Sequence, residues 1–320
     1  MQALVTTLVF QASAARPQQA TSRRVMGILN AEPFGNPDLW AHFHSKLREL
    51  GWVEGTNLIV ERRSANNQLD QLPNLADELV RLKVDIIMAL GTQAPLAAKK
   101  ATSAIPIVIW NAGDPIENGL VTSLARPGGN ITGTSLISRE IAGKRLQLLS
   151  EMLPRLSRVT VLLDRKNPNN VLLLRETEVV ARTLAIQIQS VDVRDLGESD
   201  RAFDAVLMQR PDALITAEGG VATEQRAKIT AFAATNHLPA LYPFKEFVQA
   251  GGLMSYGPDL KDLIGAFAKY IDKILKGANP GDLPIEQPTK FELVINLNAA
   301  RALGLALPQT MLLRADQVIQ

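Results

Sequence analysis

Nine residues whose side chains could bind a small zwitterion stand just after segments that the sequence predicts to be strands. In an open parallel α/β sheet, ligands bind beyond the carboxyl ends of the strands, where helix N-termini present unpaired N–H groups. Amide and hydroxyl groups could hold a carboxylate, Asp114 or Glu218 could hold an ammonium group, and an aromatic ring could cover an apolar side chain. The predicted ligand-binding residues are Phe34, Thr92, Gln93, Asp114, Asn167, Asn170, Glu218, Tyr242 and Tyr256.

Several of these residues also have a purely structural interpretation. Asn167 and Thr92 could be helix N-caps, because their side chains can accept hydrogen bonds from the first free N–H groups of a helix. Asp114 precedes a proline and could form an Asx turn. Tyr242 and Tyr256 could be half-buried core aromatics. The hypothesis of a binding site therefore depends on no single residue. It depends on all nine residues following predicted strands and so lying at the same edge of a sheet.

The sequence lacks the short motifs that mark common catalytic and cofactor sites. A dinucleotide fingerprint after the first strand, a P-loop and a Gly-x-Ser-x-Gly elbow are all absent. His42 and His44 stand two residues apart on a predicted helix and point in different directions, and His237 lies in a predicted loop. The chain has no cysteine, which excludes disulfides and thiolate zinc sites. We therefore expect no enzyme activity, no metal site and no cofactor.

The composition is that of a globular protein with two domains. The chain has 320 residues, which favours two domains of about 150 residues each. Hydrophobic residues make up 46% and charged residues 21%, and the formal net charge is only +2. The basic residues are scattered, so the sequence gives no indication of a surface that binds nucleic acid.

Short apolar segments alternate with amphipathic helices along the chain. Apolar residues recur at helical spacing over 39–50, after Asn36, which we interpret only as an N-cap, and Gly51 ends this helix. The segment 84–90 is typical of a fully buried strand, and 159–163 begins a second run of the same pattern. This alternation predicts the α/β class, with two doubly wound lobes whose parallel sheets are covered on both faces.

The first 20 residues have some features of a secretory signal. Residues 1–10 are mostly apolar, and 12–14 form a small-x-small cleavage pattern. No basic residue precedes Arg16, so we interpret 1–20 as a signal peptide that is possibly truncated at its start; a disordered tail is the alternative. No other segment approaches the about 20 apolar residues that a membrane span needs. We expect an exported protein with no membrane span in the mature chain.

The segment 111–136 separates the two βα runs. An Asp-Pro pair at 114–115 interrupts regular structure, the Pro-Gly-Gly-Asn sequence at 127–130 predicts a tight turn, and 131–136 has the composition of a strand. Such a segment is what a hinge between two lobes requires, and an ordinary surface loop is the alternative. Its residues GDP followed by LVTSLARPGGNITG resemble the hinge signature of ABC-transporter substrate-binding proteins of the tryptophan/tyrosine-binding type.

The resemblance extends from about residue 24 to 313 and implies the type I periplasmic-binding-protein fold. By this resemblance, crossover strands join two lobes, and a ligand is enclosed between them by hinge motion. The implied division is a first lobe over 23–130 to which 287–313 returns, a second lobe over 137–283, and hinge segments near 131–136, 256–258 and 284–288.

The same resemblance implies capture of a small solute in the periplasm by a monomer, and its delivery to a membrane ABC permease. Family members that bind aromatic amino acids suggest that class of ligand. The chain departs from the family pattern, since 164–170 is DRKNPNN and 216–220 is TAEGG where we expect Tyr-Asn-Pro and Asp-Asn. An aromatic amino acid, an aliphatic or branched one, and a related organic acid therefore stay open as ligands.

Two other classes of protein are alternatives. One is a two-lobe α/β enzyme that acts on a small metabolite, with acid–base groups of perturbed pKa in its cleft. The other is the ligand-sensing domain of a regulatory protein, but no helix-turn-helix fits into the first 22 residues.

Overall fold

The computed structural model describes residues 23–34, 37–136, 138–193 and 199–320. The predicted signal peptide at 1–20 and the predicted N-cap Asn36 therefore lie outside the described residues. Within the described ranges, no helix combines the length and the hydropathy that a membrane span requires.

A first sheet of five strands forms from the N-terminal part of the chain. All its strand pairs are parallel and its order is β2-β1-β3-β4-β5. The strands are β1 (Arg24–Asn30), β2 (Leu58–Ser64), β3 (Ile86–Leu90), β4 (Ile107–Ala112) and β5 (Ile131–Ser135). The helices between them are α1 (Pro37–Glu49), α2 (Leu72–Arg81) and α3 (Gln93–Ala101).

A second sheet of seven strands forms from the remainder. Its order is β12-β11-β10-β9-β8-β6-β7, and its pairs are parallel except for the antiparallel pair of β10 and β11. The strands are β6 (Arg158–Leu163), β7 (Gln187–Asp192), β8 (Ala213–Thr216), β9 (Ala240–Tyr242), β10 (Met254–Pro258), β11 (Phe291–Asn296) and β12 (Gln317–Ile319). The helices are α4 (Ser138–Met152), α5 (Pro168–Thr183), α6 (Ser199–Gln209), α7 (Gly220–Glu224), α8 (Arg226–Thr235), α9 (Lys245–Gln249), α10 (Leu260–Leu275), α11 (Leu297–Ala302) and α12 (Gln309–Arg314).

Helices cover both faces of each sheet. In β3, Ile87 and Ala89 belong to one apolar core and Ile86 and Met88 to another, because successive side chains of a strand point to opposite faces. In the second sheet, Ile215 lies in a core on one face. Its neighbour Leu214 lies in the core on the other face, and its other neighbour, Thr216, is fully buried. The predicted class of two doubly wound α/β lobes is confirmed.

The division of the chain between the lobes differs from the sequence-based expectation. The segment 287–313 does not return to the first lobe: β11 pairs with β10, and Leu293 and Ile295 lie in the core of the second lobe. That expectation is wrong because β11 pairs with β10 in the antiparallel direction and so joins the second sheet. No local sequence pattern predicts this pairing.

Helix α10 instead belongs to the first lobe, although its residues fall within the predicted second lobe. Its apolar side, including Phe267 and Ile271, packs on Met26 and Ile28 of β1 and covers a face of the first sheet. We define the first lobe as the five-stranded sheet with α1, α2, α3 and α10, and the second lobe as the seven-stranded sheet with the other helices.

The chain therefore passes between the lobes three times. The connections join β5 to α4, β10 to α10, and residue 286 to β11. Glu286 still pairs with the first lobe, because its N–H donates to the carbonyl of Gly133 at 2.9 Å. These connections lie at or beside the three predicted hinge segments, whose role as hinges stays a prediction.

Candidate functional site

A cavity of about 180 Å³ lies between the two lobes. The first lobe lines it with the residues that follow β1 and β3 and with the end of β4, and the second lobe with the residues that follow β6 and β8. A single water needs only about 10–15 Å³ of such space, so the cavity has room for a small organic molecule. A smaller cavity of about 40 Å³ adjoins it and shares Glu32, Gln93, Asn167 and Glu218 with it.

One side of the large cavity is apolar and aromatic. Trp40 of α1 and Trp110 of β4 line it, together with Phe244 and Leu260 from the second half of the chain. Trp40 is held by edge-to-face contacts with Phe34 and Phe43, whose ring centroids lie 5.5 and 5.8 Å away. Two supported indole rings suit an apolar or aromatic ligand group.

The second lobe contributes a buried ion pair beside the cavity. Arg145 of α4 is fully buried, and its Nη1 donates to Oε1 of Glu218 at 2.6 Å. Its Nε also donates to the carbonyl of Tyr256 at 2.8 Å, and its Nη2 to the carbonyl of Pro243 at 3.4 Å. Arg145 thus fixes the Glu218 carboxylate in position at the cavity.

A second carboxylate, that of Glu32, reaches across from the first lobe. Its Oε1 accepts a hydrogen bond from the N–H of Gly220, the first residue of α7, at 2.6 Å. Burial raises the pKa of Glu32 to about 7, against the opposing effect of this hydrogen bond, and the nearby carboxylates of Glu224 and Asp164 raise it further. Glu32 therefore titrates near neutral pH when the lobes are arranged in this way.

The lobes also meet at a second point. The N–H of Asp114 in the first lobe donates to Oδ1 of Asn169 in α5 at 3.3 Å. Gly113 lies so close to this side chain that a Cβ on it would stand 2.0 Å from Asn169 Oδ1. Together with the contact between Glu32 and Gly220, this packing defines what we call the closed arrangement.

Three buried polar atoms of residues that line the large cavity have no hydrogen-bond partner within the described part of the chain. They are Nε1 of Trp110, Oδ1 of Asn111 and Oε2 of Glu218. Asn111 also has a positive φ of 55°, which is uncommon outside glycine and is frequent at functional sites. Because buried polar groups are nearly always hydrogen-bonded, these three atoms are available to pair with a water molecule or with a bound molecule.

Five of the nine predicted residues line the cavities. Thr92, Gln93, Asn167 and Glu218 line the large cavity, and Asn170 lines the smaller one. Several of their side chains also have structural roles: Asn167 caps α5, as the alternative interpretation proposed, whereas the side chain of Thr92 makes no cap hydrogen bond to α3. The following hydrogen bonds hold them: Gly113 N–H to Thr92 Oγ1 at 3.1 Å, Asn169 N–H to Asn167 Oδ1 at 3.0 Å, and Asn170 Nδ2 to the Glu218 carbonyl at 2.7 Å.

The other four predicted residues, Phe34, Asp114, Tyr242 and Tyr256, line neither cavity, which corrects their sequence-based placement. Phe34 supports Trp40, and Asp114 forms an Asx turn in which Oδ1 accepts from the N–H groups of Ile116 and Glu117. Both tyrosines pack in cores.

The two tyrosines illustrate why the placement failed. Tyr242 is 1% exposed and stacks on Phe247, and burial raises its pKa above the usual range. Tyr256 stacks on Phe291 of the neighbouring strand β11. Tyr242 is the last residue of β9 and Tyr256 lies within β10, and both side chains pack against the cores of the second lobe.

The nine predicted residues do not include Glu32, Trp40, Trp110, Asn111 or Arg145. Glu32 and Asn111 stand where β1 and β4 end, so the rule that selected Thr92 and Glu218 marks these positions too. Arg145 lies within a helix and has no local signal. Among the described residues, no group of three or more His, Asp or Glu side chains is placed to hold a metal ion.

The family model described as "ABC transporter substrate binding protein" matches residues 40–319. A relative named tyrosine-binding protein, from Clostridioides difficile, is 26% identical over 264 residues, which is 82% of this chain and 75% of that protein.

Two solved structures share the fold at 24% identity. One is an ABC domain in complex with L-Trp from Streptococcus pneumoniae, with a TM-score of 0.84. The other is a conserved domain protein from Vibrio cholerae, with a TM-score of 0.85. Each comparison covers 93% of this chain and 100% of the other, so the likeness includes both lobes.

Proposed function

The chain belongs to the family of ABC transporter substrate-binding proteins, and on that premise we propose that it binds an amino acid with an aromatic or branched apolar side chain. In this proposal the ligand is captured outside the cytoplasm, in the periplasm of a Gram-negative cell, and delivered to the permease of an ABC importer. The family consists of binding proteins and not of enzymes, which removes the alternative of a two-lobe enzyme.

The observation that carries the proposal is the mixed lining of the cavity between the lobes. Trp40 and Trp110 of the first lobe offer indole rings, and Glu218 of the second lobe offers a buried carboxylate. An amino acid with an apolar side chain has the same division, with a hydrophobic body at one end and charged groups at the other.

The names of the relatives support the same class of ligand. The relative from Clostridioides difficile is called a tyrosine-binding protein, and the structure from Streptococcus pneumoniae is a complex with L-Trp. Both ligands combine an aromatic ring with an amino acid backbone. The two indole rings at this cavity suit the aromatic ring of such a ligand.

An organic acid without an amino group fits the charges of the cavity less well. Its lining includes the carboxyl groups of Glu32, Glu218 and Glu224, against one guanidinium, that of Arg226. The guanidinium of Arg226 also donates to the carbonyl of Thr223 at 3.0 Å. When Arg145, the partner of Glu218, is counted as well, three carboxyl groups stand beside two guanidinium groups, and this small excess disfavours a ligand whose only charge is negative.

A thermal-shift screen of the full chain tests the proposal. We expect L-tryptophan, L-tyrosine or L-leucine to raise the melting temperature by several degrees, since a ligand at a hundredfold excess over its Kd stabilises by about 2.7 kcal/mol. Succinate and benzoate should give no shift. Shifts with the organic acids alone would show that the assigned ligand class is wrong.

Two tryptophan variants locate the binding site in the same screen. Trp40→Leu should abolish the shift, because it removes an indole ring from the cavity wall. Trp52→Leu is the matched control. The Nε1–H of Trp52 donates a hydrogen bond to Oδ1 of Asp272 at 2.9 Å, and Trp52 does not line the cavity. Recovery of the amino acid unchanged after incubation would separate binding from turnover.

A further inference from the structure

An open groove of about 620 Å³ lies on the outer surface of the protein, between helices α3 and α5. It shares Gln93 with the large cavity but none of the other residues that line that cavity. The apolar residues that line the groove are Leu69, Leu72, Pro73, Leu96, Ala97, Pro168, Val171 and Leu172. The groove is therefore a largely apolar surface that is distinct from the site assigned to the amino acid.

The two helices contribute matching stripes of side chains to this groove. In each helix the lining residues recur at positions i, i+3, i+4 and i+7, which lie on one face of an α-helix. They are Gln93, Leu96, Ala97 and Lys100 of α3, and Pro168, Val171, Leu172 and Arg175 of α5. Each stripe thus carries apolar side chains and ends in a basic residue.

The stripe on α5 is not covered by the core of its own lobe. Leu173 and Leu174 of the same helix are buried in that core. Val171 and Leu172 are only half-buried and are not part of it. Apolar side chains that remain in contact with water favour a ligand that covers them, because the covered area leaves water.

The rim of the groove is basic. The basic residues that line it are Lys100, Arg165, Lys166 and Arg175, and the lining includes one carboxyl group, that of Glu117. Asp164 and Asp192 lie nearby but do not line the groove. They accept hydrogen bonds from the backbone N–H groups of Lys166 and Arg165 at 2.8 and 3.2 Å. Four cationic side chains around an apolar floor suit a ligand that is apolar along its length and negative at its head.

From this lining we propose that the groove binds a fatty acid, with the alkyl chain on the apolar stripes and the carboxylate at the basic rim. Its volume lies within the range of about 300–1,000 Å³ that is usual for small-molecule pockets. Fifteen residues line the groove, whereas a stable protein–protein interface takes roughly 20–30 residues on each side. These dimensions favour a small amphiphile over a folded protein partner. The inference goes beyond the proposed function and does not depend on it.

Calorimetric titration of the full chain with sodium decanoate tests the groove. We expect one molecule of decanoate to bind with a Kd of about 1 mM or tighter. Octanoate and hexanoate should bind about twofold to fourfold more weakly for each methylene removed, because less apolar area is covered. Acetate, which has the head without the chain, should not bind. Decyltrimethylammonium, which has the same chain with a positive head, should bind at least tenfold more weakly than decanoate.

Two variants on α5 assign the binding to the groove. Val171→Asp should weaken decanoate binding about tenfold or more, since it places a negative charge beside the alkyl chain, and Arg175→Glu about threefold or more. The matched controls are Val179→Asp and Arg182→Glu, which make the same changes at exposed positions of the same helix outside the groove. Arg175→Glu carries the test if thermal melting shows that Val171→Asp does not fold, because Arg175 is exposed.

The possible results either support this assignment or overturn it. Absence of decanoate binding, equal binding of the cationic amphiphile, or wild-type binding in both groove variants would each overturn it. Loss of decanoate binding in Trp40→Leu would also overturn it, because Trp40 lines the large cavity and not the groove. None of these results bears on amino acid binding. A chain that binds decanoate with the expected effects of the variants, but binds no amino acid, would keep the groove and refute the proposed function.

Discussion

Glu32 in the first lobe accepts a hydrogen bond at 2.6 Å from the backbone N–H of Gly220 in the second lobe. This contact closes one edge of the cavity, and burial raises the pKa of the carboxyl group that makes it. On the proposal that the lobes separate when no ligand is bound, the protonation of Glu32 is linked to closure, and closure is linked to ligand binding.

Ligand affinity should fall as the pH rises from about 5 to about 8. Glu32 has a pKa of about 7 in the closed arrangement because of burial, whereas in open solvent it returns to its ordinary value of 4.5. Between pH 4.5 and about 7, closure is therefore accompanied by the uptake of a proton by Glu32. The resulting stabilisation of the closed arrangement is complete below the lower pKa and is lost as the pH rises through the upper pKa. We expect a loss of about tenfold or more, measured by calorimetry across this range.

The variant Glu32→Gln should remove most of this pH dependence. The glutamine oxygen can accept the same hydrogen bond from Gly220 but does not titrate. Glu224, whose pKa is also raised by burial, stays in place in this variant and would account for the pH dependence that remains. An unchanged pH profile in Glu32→Gln would show that Glu32 is not the linked group.

Gly113→Ala should prevent the closed arrangement. The added methyl carbon would lie 2.0 Å from Oδ1 and 2.5 Å from Cβ of Asn169, and the latter atom cannot move without α5. We expect ligand affinity to fall at least tenfold, and small-angle scattering in the presence of ligand to report a larger radius of gyration than for the wild type. Gly265→Ala, with no atom within 4 Å of its added carbon, should match the wild type in both measurements.

Arg145→Met should destabilise the fold by about 3–5 kcal/mol, because it leaves the buried Glu218 carboxylate without its partner. Denaturant unfolding measures this difference. Arg24→Met is the comparison: Arg24 also pairs with a carboxylate, Asp85, at 2.8 Å, but its side chain is 41% exposed. An exposed pair contributes about 0–1 kcal/mol, so equal effects of the two variants would contradict the importance assigned to Arg145.

Trp110→Phe should weaken binding of the amino acid about twofold to tenfold with little loss of stability. The change removes the indole N–H, a donor without a partner in the described part of the chain, and keeps an aromatic ring against Phe267. Calorimetry and thermal melting together distinguish the roles of Trp110. Unchanged affinity with a lowered melting temperature would show that the residue serves only the core.

Local patterns in the sequence predicted the elements and the position of five of the nine candidate residues at the cavities. The apolar segment at 84–90 contains the buried strand β3, and the rule that ligands bind after parallel strands correctly brings Thr92, Gln93 and Glu218 to the cavity. The same rule failed for Tyr242, because a strand's end fixes the position of a residue but not the face to which its side chain points.

Features that depend on distant parts of the chain were not predictable in this way. Arg145 reaches Glu218 over 73 positions, and nothing in the sequence around either residue indicates the partner. The apolar side of α10 was visible as a helical pattern, but the pattern does not say which sheet it covers. The destinations of α10 and β11 were therefore wrong, although the elements themselves were correctly expected.

The place of α10 in the first lobe has a consequence for synthesis of the protein. One face of the first sheet, with Met26, Ile28 and Trp110, is covered by a helix that follows β5 by more than a hundred residues. At translation rates of about 5–20 residues per second, that face waits on the order of ten seconds for α10 to leave the ribosome. During that time the nascent chain presents an uncovered apolar surface, which suits recognition by chaperones that keep a polypeptide from folding prematurely.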